Sequence, residues 1–237
     1  MIERFIEYQH QGRVFEAFLC VDEQARGPRP GVMISHAWAG RSEFECDKAR
    51  ALAARGYAGF ALDLYGKGIL GQNPEENGAL MKPFIEDRPL LQSRLAAALG
   101  CLRSQPEVDA GRVAAMGFCF GGLCVLDLAR TGADLRGVVS FHGLLGAPGN
   151  TAGIRIKAKA LVLHGYDDPM CPPESIIAFA KEFSDAGADW QLHAYGGTMH
   201  SFTNPEANNP EFGTVYNPAA DRRSWVSLCN FLEEVFA

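Results

Sequence analysis

Gly117-Phe118-Cys119-Phe120-Gly121 is bracketed by two different periodicities. Upstream, residues 112–116 (RVAAM) form a short continuous apolar run, the mark of a buried strand. Downstream, residues 122–130 (GLCVLDLAR) read as a helix. A G-x-Cys-x-G stretch between a strand and a helix makes a very tight turn, and a side chain at either glycine would collide with the neighbouring element. The residue at the apex is held in a strained conformation. A free cysteine is by default a small buried filler. The rest of the chain decides whether Cys119 is more than that.

Working outward, strand-like and helix-like segments alternate. Residues 3–10 and 13–21 are two alternating strands joined at Gln11-Gly12, an antiparallel edge hairpin. Residues 31–35 (GVMIS) form an apolar run typical of a strand buried on both faces. Ser42 and Glu45 make a capping box that opens a helix to about residue 55. A strand over residues 58–62 leads into a glycine-rich, irregular stretch over 63–77. A helix over 87–103 places Leu91, Leu95, Ala98 and Leu102 at helical spacing, with Pro89 tolerated in its first turn. Strands follow at 138–141, 160–163 and 190–195, with helices near 174–186 and 221–236. This order implies one α/β domain over residues 1–237, with a mostly parallel central sheet, helices on both faces and an N-terminal antiparallel edge hairpin. In such sheets the site lies in the loops at the carboxyl ends of the strands.

The bulk properties fit that reading. The 237 residues are 47% hydrophobic and 21% charged, ordinary for one soluble domain. A formal net charge of −6 argues against a nucleic-acid or anionic-membrane surface. The N-terminus lacks the basic stretch and long apolar core of a secretory signal, and no segment is apolar enough for a membrane span. The 7 cysteines are scattered without a C-x-x-C pair, so neither a disulfide framework nor a zinc knuckle is indicated. A cytoplasmic protein without metal or cofactor, acting on a small molecule as a monomer or homodimer, is the expectation.

Two further carboxyl-end loops carry chemistry. After the 160–163 strand comes His164-Gly165-Tyr166-Asp167-Asp168-Pro169-Met170-Cys171-Pro172. After the 190–195 strand comes Gly196-Gly197-Thr198-Met199-His200-Ser201-Phe202. Nucleophile, acid and histidine thus follow one another in the chain order of α/β-hydrolases. A free thiol has a pKa of about 8.5, so little of it is thiolate near neutrality. A histidine in reach takes the proton, the helix N-terminus favours the anion, and a carboxylate fixes the imidazole tautomer. The H-G-x-x-D-x-x-x-P spacing selects Asp168 over Asp167. His200, in a long irregular loop late in the chain, is the base. His10 and His193 are read as structural, His142 and His164 as packing or backbone-bonding groups, and Cys124 and Cys171 as buried fillers. An oxyanion hole is expected from the backbone N–H groups of Phe120 and of Trp38, the latter on the loop after the 31–35 strand.

Gly117-Phe118-Cys119-Phe120-Gly121-Gly122, Asp63-Leu64-Tyr65, Asp168 with Pro172, and His200-Ser201-Phe202 together resemble the dienelactone hydrolase family, the α/β-hydrolase branch whose elbow typically carries cysteine. The resemblance spans essentially the whole chain. It implies carboxymethylenebutenolidase-type chemistry, in which a thiolate opens an enol lactone and water releases a keto acid. Two departures stand out. The best-known members carry a glutamate after the central strand, where this chain has Ala37. They also carry an arginine shortly after the histidine, where this chain has Asn204. Arg41, Lys67 or Arg88 is then left as the source of positive charge for a substrate carboxylate. His36, Tyr65, Phe118, Met170 and Phe202 are expected near the substrate, with Trp38 beside them.

The resulting expectation is a cysteine hydrolase of activated esters or lactones working through a thioester. Good leaving groups suit it, because a thiolate is itself readily expelled. The same logic admits activated phosphotriesters. The reading from another class is an inactive ligand-binding protein on the same fold, but such decayed members usually lose one of the three residues, and all are present here.

Overall fold

In the computed structural model, which describes residues 1–24 and 26–237, the chain falls into two units, Met1–Met116 and Gly117–Ala237. The first unit begins with β1 (Ile2–His10) and β2 (Arg13–Val21), an antiparallel pair in register from Ile2↔Val21 to His10↔Arg13. Gln11 takes the turn at φ 49°. The apolar run predicted as a central strand is β3 (Arg29–Ser35), buried along nearly its whole length. Helix α1 (Glu43–Ala53) starts where the capping box places it: Ser42 Oγ accepts from the Phe44 N–H, and the Glu45 carboxylate accepts from the Ser42 N–H at 2.8 Å. β4 (Ala58–Ala61) lies parallel to β3 and antiparallel to β2.

The stretch expected to be irregular over 63–77 is so to residue 73, but its last four residues open a helix that the sequence reading did not assign, α2 (Pro74–Glu86). Its start carries ordinary signals: Asn73 caps it by accepting from the Glu76 N–H at 2.9 Å, and Pro74 occupies the first turn. Only Asn77 and Phe84 of this helix are buried. The surrounding glycines and so thin an apolar face hide it from a periodicity reading. Helix α3 (Arg88–Arg103) is capped by Asp87, and Leu91, Leu95, Ala98 and Leu102 face inward as their spacing requires. The strand leading to the elbow, β5 (Val108–Phe118), is longer than the apolar run alone suggested. Strand order in this unit is β1-β2-β4-β3-β5.

The second unit opens at the elbow itself. Helix α4 (Phe120–Arg130) begins two residues earlier than its sequence pattern, with Cys119 at its N-cap. β6 (Gly137–Phe141), β7 (Lys159–Gly165) and β8 (Trp190–Tyr195) pair in parallel in that order, from Gly137↔Lys159 and Ala160↔Trp190 onward. Helices α5 (Pro173–Asp185) and α6 (Pro218–Phe236) follow β7 and the last loop. Two short strands, β9 (Asn208–Asn209) and β10 (Thr214–Val215), pair antiparallel within that loop. The class is α/β with mostly parallel strands and an antiparallel hairpin at an edge, as the alternation implied. Among the described residues no helix is long and apolar enough to cross a membrane.

The parallel strands set up the chemistry. β5 ends at Phe118, β6 at Phe141, β7 at Gly165 and β8 at Tyr195. The residues that follow these ends are Cys119, His142, the 166–172 loop and the 196–207 loop.

Candidate active site

Cys119 has φ 54° and ψ −117°, outside the basins open to ordinary residues. Its side chain caps no helix amide, its thiol is free of any disulfide, and it is half-buried. Of the non-glycine residues described with positive φ, only Gln11 lies in a hairpin turn. The others are Cys119, His142 at 38° and Ser201 at 57°. Strained backbone of this kind costs on the order of 1–3 kcal/mol per residue and persists where the surrounding structure enforces it.

The loops after β7 and β8 bring Asp168 and His200 together. His200 Nδ1 lies 2.7 Å from Asp168 Oδ2, and both side chains are buried. The other oxygen, Asp168 Oδ1, accepts from the Met170 N–H at 2.8 Å, which fixes the carboxylate plane. Asp167 is exposed; its N–H donates to the carbonyl of Thr198 and ties the acid loop to the histidine loop. Gly165 makes that approach possible. A Cβ there would lie 2.6 Å from the carbonyl oxygens of both Thr198 and Met199. The histidine is held from the other side as well. The His200 N–H donates to the Gly213 carbonyl at 2.9 Å, and its carbonyl accepts from the Val215 N–H at 3.1 Å.

Electrostatics favour a protonated ring. Burial opposes the charge on His200, but the Cys119 sulfur, the hydrogen bond to Asp168 and the Asp168 charge outweigh it and push the pKa up to about 10. The thiol stands in loose reach of the ring: near enough for its charge to act, yet Nε2 has no partner in hydrogen-bonding alignment among the described residues. Resting hydrolases often show long hydrogen bonds here that tighten when substrate binds.

His142, read from the sequence as a packing or backbone-bonding group, belongs to this cluster through a bond to the Cys119 backbone. Its Nδ1 accepts from the Cys119 N–H at 3.1 Å, a donor shared with the Phe141 carbonyl at 3.0 Å. Its Nε2 lies 2.8 Å from Thr203 Oγ1, and its ring meets the His200 ring edge-on with centroids 5.1 Å apart. A histidine directly after a strand was the available signal, but its partners are tertiary. His164 is buried next to the pair. Burial holds it below the usual histidine range, and neither ring nitrogen has a partner among the described residues.

The expected pocket residues separate into two kinds. Phe118 and Phe202 are buried core side chains: Phe118 packs on Phe141 at 4.8 Å, and Phe202 meets His142 and Tyr195 edge-on. Met170 alone of this unit's set is half-buried. Phe120 opens α4, so its N–H lies in the first turn of that helix. In the first unit, His36 is buried with both nitrogens bonded to backbone. Nε2 accepts from the Leu64 N–H at 3.1 Å, and Nδ1–H donates to the Ala37 carbonyl at 2.6 Å. Tyr65 donates its hydroxyl to the Trp38 carbonyl at 2.9 Å. Arg41 and Lys67 are both engaged with Glu16, at 3.2 and 3.1 Å. Asn204 is exposed.

A family model described as the dienelactone hydrolase family matches residues 15–236. The chain belongs to the dienelactone hydrolase family. It is similar to a solved structure named m3DLH, with 40% identity, a TM-score of 0.94 and coverage of 100% of this chain and 99% of that one. A dienelactone hydrolase-like promiscuous phosphotriesterase from metagenomic libraries, P91, is 38% identical, with a TM-score of 0.94 and the same coverage. A carboxymethylenebutenolidase of Pseudomonas sp. strain P51 is 28% identical over 206 residues, 84% of each chain. This dienelactone hydrolase-family chain is therefore a hydrolase, and the family supports ester or lactone bonds as its targets.

Proposed function

We propose that the protein hydrolyses activated esters or lactones with Cys119 as nucleophile, His200 as base and then acid, and Asp168 as the group that orients His200. The observation that carries this reading is the pairing of a strained, half-buried Cys119 with a buried His200–Asp168 contact of 2.7 Å. In the first step the Cys119 sulfur attacks the carbonyl carbon and the carbonyl electron pair moves to oxygen. The Phe120 N–H then donates to that oxyanion, a role supported by its position in the first turn of α4. Collapse expels the leaving oxygen, which takes the proton from the His200 imidazolium. A water then gives its proton to His200 and attacks the thioester, and the second collapse releases the acid and the Cys119 thiolate.

The leaving group sets the substrate class. A thiolate is expelled more readily than an alkoxide, so simple alkyl esters return to starting material, whereas enol and aryl esters go forward. Because Ala37 and Asn204 stand where the best-known members carry glutamate and arginine, the proposal extends to the reaction type and not to the dienelactone substrate itself.

A second electrophile is favoured by one observation, the 38% identity to P91, whose name describes promiscuous phosphotriesterase activity. On the same three residues, an aryl phosphotriester would give a phosphoryl-cysteine in place of the thioester. The test is turnover of an aryl ester and an aryl phosphotriester by wild type and by Cys119→Ala, with intact mass after rapid quenching. The reading predicts an acyl or phosphoryl adduct on Cys119 and loss of turnover in the variant. Turnover by Cys119→Ala equal to wild type would falsify it. Iodoacetamide separates it from a ligand-binding role: Cys119 is expected to label faster than the other cysteines, and no faster once His200→Ala is introduced.

A further inference from the structure

The residue after β6 links two segments that the chemistry needs in register. Phe141 and His142 together hold the Cys119 amide, through the Phe141 carbonyl at 3.0 Å and His142 Nδ1 at 3.1 Å. With Nδ1 as acceptor, the neutral ring carries its proton on Nε2 and donates it to Thr203 Oγ1 at 2.8 Å. Thr203 lies in a turn that begins one residue after His200 and closes with the Asn204 N–H on the Ser201 carbonyl at 2.9 Å. One imidazole therefore spans from the backbone of the thiol residue to the loop that carries the histidine. Its ring also sits edge-on to the His200 ring, at 5.1 Å between centroids.

We propose that His142 is a positioning residue that sets the approach of the Cys119 sulfur to His200 Nε2. The inference rests on the Cys119–His200 chemistry proposed above. A packing role would need only a flat ring of this size. The structure instead places an acceptor at Nδ1 and a donor at Nε2, each facing a different segment. The three strained non-glycine residues of the site are the thiol residue, His142 itself and Ser201 at the head of the Thr203 turn, with φ of 54°, 38° and 57°. A bridge between such points keeps them from relaxing apart, and a reacting pair displaced by 1 Å loses about 100-fold in rate.

Phenylalanine keeps the ring and removes both nitrogens. Asparagine puts its Oδ1 near the place of Nδ1 and keeps the acceptor for the Cys119 amide. Glutamine puts its amide nitrogen near the place of Nε2 and keeps the donor to Thr203. The experiment is steady-state hydrolysis of an aryl ester by His142→Phe, His142→Asn, His142→Gln, Thr203→Val and Cys119→Ala, each checked for folding by circular dichroism. His142→Phe is expected to lose about 10–100-fold in kcat with KM within about twofold. His142→Asn is expected to recover at least half of that loss on a logarithmic scale, and Thr203→Val to fall in the same direction as His142→Phe. If His142→Phe does not fold, His142→Asn and Thr203→Val carry the test. A kcat for Thr203→Val within twofold of wild type then overturns the inference. So does a folded His142→Phe within twofold, or a His142→Asn no better than His142→Phe. An inactive Cys119→Ala beside a normal His142→Phe removes only the positioning role, whereas an active Cys119→Ala removes the nucleophile and this inference with it.

Discussion

A methyl group on Gly117 would have its carbon 2.1 Å from the carbonyl oxygen of Gly121 and 2.3 Å from its carbonyl carbon. Both are main-chain atoms of α4, so no rotamer change relieves the contact. Gly117→Ala must push the helix away from the strand end, and overpacking of this kind costs about 1–3 kcal/mol. Urea unfolding is expected to show that loss, and hydrolysis is expected to fall with it because the elbow opens. An unchanged unfolding midpoint would contradict the packing.

The two neighbouring aspartates give opposite expectations. Asp168 is buried against His200, whereas Asp167 is exposed and uses only its backbone in the site. Asp168→Asn removes the charge and leaves the wrong imidazole tautomer, so kcat is expected to fall by about 1,000-fold or more. Asp167→Asn is expected to stay within about twofold. Equal losses in the two variants would show that the acid has been assigned to the wrong residue.

The state of His200 can be read directly. Against its burial, the Cys119 sulfur and Asp168 hold its pKa near 10. A histidine raised in this way stabilises the fold fully below its unfolded value of about 6.5 and progressively less above it. By about pH 10 the contribution is gone. Imidazole resonances followed by NMR are expected to titrate far above 6.5 in wild type and lower in Cys119→Ala. A wild-type midpoint at the ordinary value would remove the proposed pairing.

His164 has the opposite sign. Burial lowers its pKa, so the unfolded chain takes up a proton first as the pH falls through about 6.5, and the fold loses stability there. Neither nitrogen has a partner among the described residues. Replacing such a group with an apolar side chain of similar size is expected to cost nothing and to stabilise by up to about 1 kcal/mol. His164→Leu should therefore unfold at higher urea at pH 5 than wild type, with a smaller difference at pH 8. A larger loss for the variant at pH 5 would show that the ring is needed.

Arg130 offers a check on the scaffold. Its buried guanidinium donates to Asp127, to both Glu182 oxygens and to the Leu145 carbonyl at 2.7 Å. Arg130→Met leaves the Asp127 carboxylate buried without that cation, at a cost of about 3–5 kcal/mol. A drop of less than about 1 kcal/mol in unfolding free energy would mean that the ion set is replaceable.

The elbow was legible because sterics admit few residues there, and Asp168 stood out as the partner of His200 because Gly165 and Asp168 occupy fixed offsets from a strand end. Leucine spacing announced α3, and the capping box of Ser42 and Glu45 announced α1 through local chemistry. Asn73 and Pro74 carry the same kind of signal for α2, but so little of that helix is buried that its periodicity is faint. The place of His142 directly after a strand was legible, but not its bridge, because its partners lie 23 and 61 residues away and only the fold brings them together. Phe118 and Phe202 show the same limit. Residue type marks them as apolar, but only packing shows that they lie beneath the site.

The clamp on the His200 backbone separates two tasks within one loop. The main chain at 213 and 215 fixes the histidine, while residues 204–206 and 208–212 are exposed. Main-chain bonds do not depend on the identity of the side chains between them. Exposed side chains of this stretch can thus be exchanged while the main-chain hold on His200 stays in place.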